Sequence, residues 1–199
     1  MEVRGRQRQW VLALVLFLGV LVCLWRLGAT GVTDETPPLF AAAGRGMVDS
    51  GDWLTPRVNG LPRYDKPPLI YWLMALGYAL PGSSLLDPLG SWAARLPSAL
   101  SSIVMMLALA DTLLRWPRRD DQRPAWTAVA GALTFALSPL VLVWSRTAVS
   151  DALLCALLGL SLLFQWRRFA DPQQSRWWTA WVLLGLAVLA KGPVAIVLS

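Results

Sequence analysis

Residues 34–69 read DETPPLFAAAGRGMVDSGDWLTPRVNGLPRYDKPPL. The stretch holds Asp34, Glu35, Asp49, Asp52 and Asp65, five of the twelve acidic residues in the chain, interleaved with Arg45, Arg57, Arg63 and Lys66. On both sides the chain turns apolar, in runs approaching the roughly 20 residues needed to cross hydrocarbon. A polar loop tethered between such runs lies at a membrane face, within reach of lipid headgroups. That reading sets the fold class: an all-α polytopic membrane protein.

Composition agrees. Hydrophobic residues make up 56% of the 199 and charged residues 15%, more apolar surface than a water-soluble domain of this size can hide. The net charge of +6 does not point to nucleic acid, because the arginines collect in short segments between apolar runs, where orientation signals belong. Cys23 and Cys155 fall inside apolar runs and read as small buried hydrophobes, not as a disulfide or a metal pair. The chain has no His, so neither a His base nor a His-ligated zinc can come from it.

Spans are predicted over about residues 10–29, 92–114, 124–144, 151–166 and 177–190. Arg4, Arg6 and Arg8 precede the first. A signal peptide is disfavoured because that run is long, Arg26 interrupts its far end and no A-x-A site follows. Placing Arg115, Arg118, Arg119 and Arg123 with Arg167, Arg168 and Arg176 on the cytoplasmic side gives a consistent alternation, with the N-terminus cytoplasmic. The first loop, about residues 30–91, the 145–150 turn and Lys191 then share the opposite side. Residues 68–80 are too few to cross comfortably and read as an interfacial or re-entrant helix, with a short tilted span as the rival.

Inside the loop, Thr36 can cap a helix with Pro37 at its first position. Leu39, Phe40, Ala43 and Met47 then share one face, and Asp49, Ser50 and Gly51 end the helix. This is the pattern of an amphipathic helix lying on a membrane. Asn59-Gly60 signals a tight turn.

Several polar residues have chemical potential. Asp34 and Glu35 follow directly on the first span. They read either as a loop start or helix cap, or as carboxylates that take a proton or help hold a metal. In Asp65-Lys66-Pro67-Pro68 the prolines stiffen the backbone and present the Lys66 ammonium to a fixed point. Arg57 and Arg63 lie close by, and clustered cations at a bilayer suit either phosphate binding or plain headgroup attraction. Arg146 and Asp151 bracket the start of the fourth span, where Ser150 or Asp151 is also a natural cap. Lys191-Gly192-Pro193 breaks an apolar stretch. A lysine there must reach a surface or cavity, which makes Lys191 a phosphate-binding candidate. Asp111 and Arg115, spaced i,i+4, read as a local ion pair.

The segment DETPPLFAAAGRGMVDSGDWLTPRVNGLPRYDKPPLIYWLMAL, followed by WAARLPSAL, resembles the ArnT-like and protein O-mannosyltransferase superfamily of GT-C integral-membrane glycosyltransferases, nearest its bacterial aminoarabinose-transferase branch. SRTAVSD and LAKGP follow in the family's order. The resemblance implies GT-C-type transmembrane helices with amphipathic helices in the first non-cytoplasmic loop of a bacterial inner-membrane protein. It implies transfer of a sugar from a polyprenyl-phosphate donor to a lipid, glycan or protein acceptor, with inversion. Asp34 would be the first-loop catalytic carboxylate with Glu35 its companion, Asp151 the second-loop acid, and Lys66 a contact to the lipid phosphate. Arg57, Arg63, Arg146 and Lys191 stay substrate-binding candidates on the residues alone, and the resemblance would put Asp65 near the substrate or a divalent metal of unknown identity. Family members are more than twice as long, so the chain is expected to be an N-terminal part. A transporter or flippase segment, or a truncated non-catalytic membrane protein, are the competing readings. The absence of a polar stripe along any span weighs against transport.

Overall fold

A computed structural model describes residues 5–32, 35–81, 87, 90–173 and 176–198. Its elements are α1 (Gly5–Leu24), α2 (Pro37–Ser50), β1 (Arg57–Val58), β2 (Leu61–Pro62), α3 (Leu69–Tyr78), α4 (Ser91–Arg115), α5 (Pro124–Ala136), α6 (Pro139–Trp144), α7 (Asp151–Ala170), α8 (Trp177–Lys191) and α9 (Val194–Val197). The only sheet among the described residues is the two-stranded β1–β2 ribbon, so the all-α membrane class holds. Helices α1, α4 and α7 are long and apolar enough to cross a membrane.

Successive long helices alternate in direction. The N-terminus of α1, the C-termini of α4 and α7 and the start of α8 therefore gather at one end. The first loop, the turn before α7 and the end of α8 gather at the other.

Three helix boundaries depart from the sequence expectation, each for a local reason. The first helix begins at Gly5 and stops at Leu24, because Arg26 takes a left-handed conformation (φ 51°). The run 124–144 is two helices, not one. Pro139 has no N–H to continue the ladder and holds Ser138 extended (ψ 138°). The fourth helix runs on to Ala170, because Arg167 is held inside the bundle and helix continues beneath it.

The first loop is more deeply built in than a helix resting on a membrane. Pro37 starts α2 as expected, but Thr36 makes no side-chain cap. The buried face of α2 is Pro37, Phe40, Ala43, Gly44 and Met47. It meets Ile70, Tyr71 and Met74 of α3, all fully buried. At about 15 Å, the ten residues of α3 are too short to cross, and they lie against α4 and α8. Together these side chains join Val149, Leu153, Leu157 and Ala190 in the largest core of the molecule. A second core seals α1, α4 and α5 toward the opposite end. The loop helices are thus a lid of packed protein on one end of the bundle.

Candidate functional site

The site grows from how the first loop is pinned. Asn59 (φ 51°) and Gly60 (φ 79°) make the two-residue turn of the ribbon, the left-handed pair that Asn-Gly supplies most easily. Ahead of it, Asp52 accepts from the backbone N–H groups of Thr55 and Leu54, at 3.1 Å each. Those bonds, first Thr55's, hold its carboxyl below the ordinary range. Arg57 is exposed and, among the described residues, its side chain pairs with Asp52 alone, at 3.8 Å.

Beyond the ribbon the backbone enters Asp65-Lys66-Pro67-Pro68. Arg63 donates through Nη2 to Asp65 Oδ2 (2.7 Å) and through Nε to Tyr71 Oη (3.1 Å), with its guanidinium over the Phe40 ring. Phe40 in turn stacks on Tyr71. Arg63 therefore ties this turn to α2 and α3. Asp65 already faces a guanidinium, with the Tyr71 hydroxyl 3.5 Å from its second oxygen. That donor set does not fit a divalent cation, which would sit against the Arg63 charge. Among the described residues no three His, Cys, Asp or Glu side chains cluster as ligands.

Lys66 is different. It is half-buried and, among the described residues, no hydrogen bond or ion pair engages it. Its neighbour Pro67 abuts the end of α8, where a Cβ on Gly192 would lie 3.8 Å from the Pro67 ring. Gly192 sits at φ 81°, ψ −158°, a region that essentially only glycine occupies. One residue earlier, Lys191 bonds Asp151 at the first position of α7. Ser150 makes no side-chain cap and Asp151 points its carboxylate to Lys191, so the simple capping reading of this pair fails. Helix-start N–H groups still favour the negative charge of Asp151. The turn before it is fixed by Ser98, whose hydroxyl donates to the Val149 carbonyl at 3.1 Å. The chain's only two lysines thus flank one contact, Pro67 on Gly192. Asp151 also lines a cavity of about 170 Å³ with Ser102, Trp144 and Cys155. Cys155 is exposed to that cavity, against the expectation that it is buried. Cys23 is buried as expected.

The remaining sequence candidates divide. Asp34 lies outside the described residues. Glu35 is exposed. Arg146 does not face the lysines. Its Nη1 and Nη2 donate to the carbonyls of Val22 (3.1 Å) and Trp25 (2.8 Å), closing the C-terminus of α1. The orphan carbonyls of a helix end attract a cation.

Two residues that sequence reasoning missed do much of the positioning. Arg95 donates to the carbonyls of Leu27, Thr30 and Gly31, at 2.8, 2.8 and 2.9 Å. It fastens the segment that leads toward Asp34. Buried Asp87 accepts from the N–H groups of Ser91, Trp92 and Ala93 (3.0, 2.7 and 3.0 Å), capping α4. Its place ahead of Gly90-Ser91 was the available signal. Nearby, burial pushes the Tyr78 hydroxyl up to about 12, the Asp87 charge adding to the effect and Arg45 opposing it. It therefore stays protonated and donates to the Gly90 carbonyl at 2.7 Å.

At the opposite end Asp111 is not the local pair expected. It meets Arg8 Nε (2.7 Å), Arg115 Nε (3.0 Å) and Arg167 Nη1 (3.2 Å), so one carboxylate joins α1, α4 and α7.

Residues 65–199 match the family described as dolichyl-phosphate-mannose-protein mannosyltransferase. The chain is 32% identical over 196 residues to an undecaprenyl phosphate-alpha-4-amino-4-deoxy-L-arabinose arabinosyl transferase of Pseudomonas aeruginosa (strain UCBPP-PA14), covering 96% of this chain and 33% of that protein. It is 29% identical over 185 residues to an uncharacterized protein of Aquifex aeolicus (strain VF5), 93% of this chain and 35% of that protein. Among solved structures it is similar to ArnT from Cupriavidus metallidurans. The TM-score is 0.78 at 28% identity for the apo state and 0.76 at 27% for the form bound to undecaprenyl phosphate. Each match covers 96% of this chain and 34% of that one, so the chain spans about a third of the length of these relatives.

Proposed function

The chain belongs to the dolichyl-phosphate-mannose-protein mannosyltransferase family, and on that premise we propose that it forms the donor-phosphate end of a GT-C glycosyltransferase. The enzyme moves a sugar from a polyprenyl-phosphate donor, on the bacterial inner membrane, to a lipid, glycan or protein acceptor. Similarity to an aminoarabinose transferase and to a structure holding undecaprenyl phosphate supports the donor class. The observation that carries the reading is Lys66, an ammonium on a proline-stiffened turn with no partner among the described residues, beside a second lysine neutralised by Asp151.

The chemistry follows from charge. The C1–oxygen bond of the sugar breaks and its electron pair leaves on the lipid phosphate. A phosphomonoester has a second pKa near 6, so it departs without a general acid, unlike the leaving group of a glycosidase. What it needs is neutralisation as charge develops, which Lys66 supplies. The acceptor attacks C1 from the face opposite the phosphate, inverting that centre, and gives its proton to Asp34. Glu35 supports the same acceptor side. Asp151 acts through Lys191, holding the end of α8 so that Gly192 seats Pro67 and aims Lys66.

Transfer from a panel of radiolabelled polyprenyl-phosphate sugars by the complete reading frame tests the reading. Lipid-phosphate-dependent transfer supports it, and transfer only from nucleotide sugars refutes it. The loop end is non-cytoplasmic and the N-terminus cytoplasmic in this account. A membrane-impermeant thiol reagent applied to intact cells should then label Ser50→Cys but neither Asp120→Cys nor Pro172→Cys, and the reverse pattern inverts the orientation.

A further inference from the structure

Two irregular segments lead to the carboxylates given a part in sugar transfer. One follows α1 through residues 25–32 toward Asp34. The other is the 145–150 turn, which delivers Asp151 to the start of α7. Neither forms helix or strand, so their main-chain carbonyls must find partners elsewhere.

One face of α4 supplies many of them. Ser91, Arg95 and Ser98 are spaced four and three apart, which lines them up on one side of a helix. Ser91 Oγ donates to the Gly28 carbonyl at 3.1 Å. Arg95 donates to the carbonyls of Leu27, Thr30 and Gly31 and, through Nη1, to the Thr30 hydroxyl at 3.3 Å. Ser98 donates across to the Val149 carbonyl. Both serines are fully buried. From the second segment, Arg146 donates back to the carbonyls of Val22 and Trp25 at the end of α1. The two segments are thus tied to the same helix and to each other.

Water at a membrane face could serve loop carbonyls as well. What the row adds is a common support. Arg95 and Ser98 stand about 5 Å apart along the helix axis, so two segments distant in sequence hang from one rigid place. All but one of the row's bonds end on main-chain carbonyls, so what they fix is the path of the backbone. Gly31, held by Arg95, is three residues from Asp34, a covalent reach of about 10 Å. Val149, held by Ser98, is two residues from Asp151.

We infer that this row on α4 sets the distance between the acceptor side and the donor side of the reaction, with Arg95 as a positioning residue for transfer. This assignment rests on the roles proposed for Asp34 and Asp151. Asp34 takes the acceptor's proton, and Asp151, through Lys191 and Gly192, aims Lys66 at the donor phosphate. Releasing the first segment shifts the acceptor relative to the donor, and a misplacement of about 1 Å costs about 10²-fold in rate. Donor binding at Lys66 is unaffected.

The test compares Arg95→Gln, Ser98→Ala and Asp111→Asn with the wild type in the complete enzyme. Arg95→Gln should lower kcat by about 10²-fold and Ser98→Ala severalfold, each with undecaprenyl phosphate affinity unchanged. Asp111→Asn, weakened at the other end of the bundle, should keep the wild-type kcat, which separates positioning from general loss of stability. Amide exchange read by mass spectrometry should quicken over residues 25–36 in Arg95→Gln and over 146–150 in Ser98→Ala. Where Arg95→Gln fails to fold, Ser98→Ala, lacking a single hydroxyl, decides by the same two readouts. A wild-type kcat in these variants overturns the inference. So does a loss of kcat matched by an equal loss of donor affinity, or shared by Asp111→Asn, or unaccompanied by faster exchange. Absence of all transfer by the wild-type enzyme would instead remove the glycosyltransferase reading, and with it the catalytic meaning of the row.

Discussion

The two ends of this helix bundle treat positive charge in opposite ways. At one end Arg8, Arg115 and Arg167 close on Asp111, and their forked guanidiniums bridge three helices. At the other end stand the only two lysines of the chain. Lys191 is paired with Asp151, and Lys66 has no partner among the described residues. At that second end Arg63, Arg95 and Arg146 also serve as ties within the fold. Each is engaged by a carboxylate, a hydroxyl or main-chain carbonyls. A planar group with five fixed donors suits scaffolding, and a compact ammonium suits meeting an incoming charge. In the proposed reading, the difference separates the end that holds the fold from the end that does chemistry.

The sharpest way to break that division is at the loop end. Asp34→Asn should lower turnover by about 10³-fold, within the span expected for loss of a general base, and leave membrane insertion intact. Near-normal transfer by this variant would remove Asp34 from the reaction. At the scaffold end, Asp111→Asn strips the anion from three arginines. It should destabilise the protein by about 2–3 kcal/mol, less than for a fully buried pair because the cluster is partly solvated, with the donor KM unchanged. A shifted KM at normal stability would show the two ends are not separate. The smallest expected effect is Gly192→Ala. Forcing a Cβ into a glycine-only conformation costs about 1–2 kcal/mol and should disturb the seat of Pro67, lowering kcat/KM more than stability. A silent variant would mean the Pro67–Gly192 contact does not aim Lys66.

Much of this was legible in the chain itself. Periodicity and Pro37 located α2, Asn59-Gly60 located the turn, and apolar length separated α3 from the crossing helices. Proline chemistry gives the break at Pro139 once the pre-proline constraint on Ser138 is applied, though the hydropathy of 124–144 conceals it. Tertiary partners were not legible. Arg146 looks identical in sequence whether it binds a phosphate or the open carbonyls of Val22 and Trp25. Asp111 and Arg115 show an i,i+4 spacing that hides Arg8 and Arg167, 103 and 56 positions away. Asp87 and Arg95 are single polar residues whose work is done across the fold, on groups no local pattern names. The Lys191–Asp151 pair was split into two separate candidates for the same reason.

The most direct test is binding of undecaprenyl phosphate to purified wild-type protein, Lys66→Ala and Arg115→Gln, each titrated under one set of conditions. Loss of about tenfold in affinity is expected for Lys66→Ala, the effect of removing one charge-assisted phosphate contact, with Arg115→Gln close to wild type. Equal affinity for Lys66→Ala and wild-type protein, or the larger loss falling on Arg115→Gln, would contradict the account.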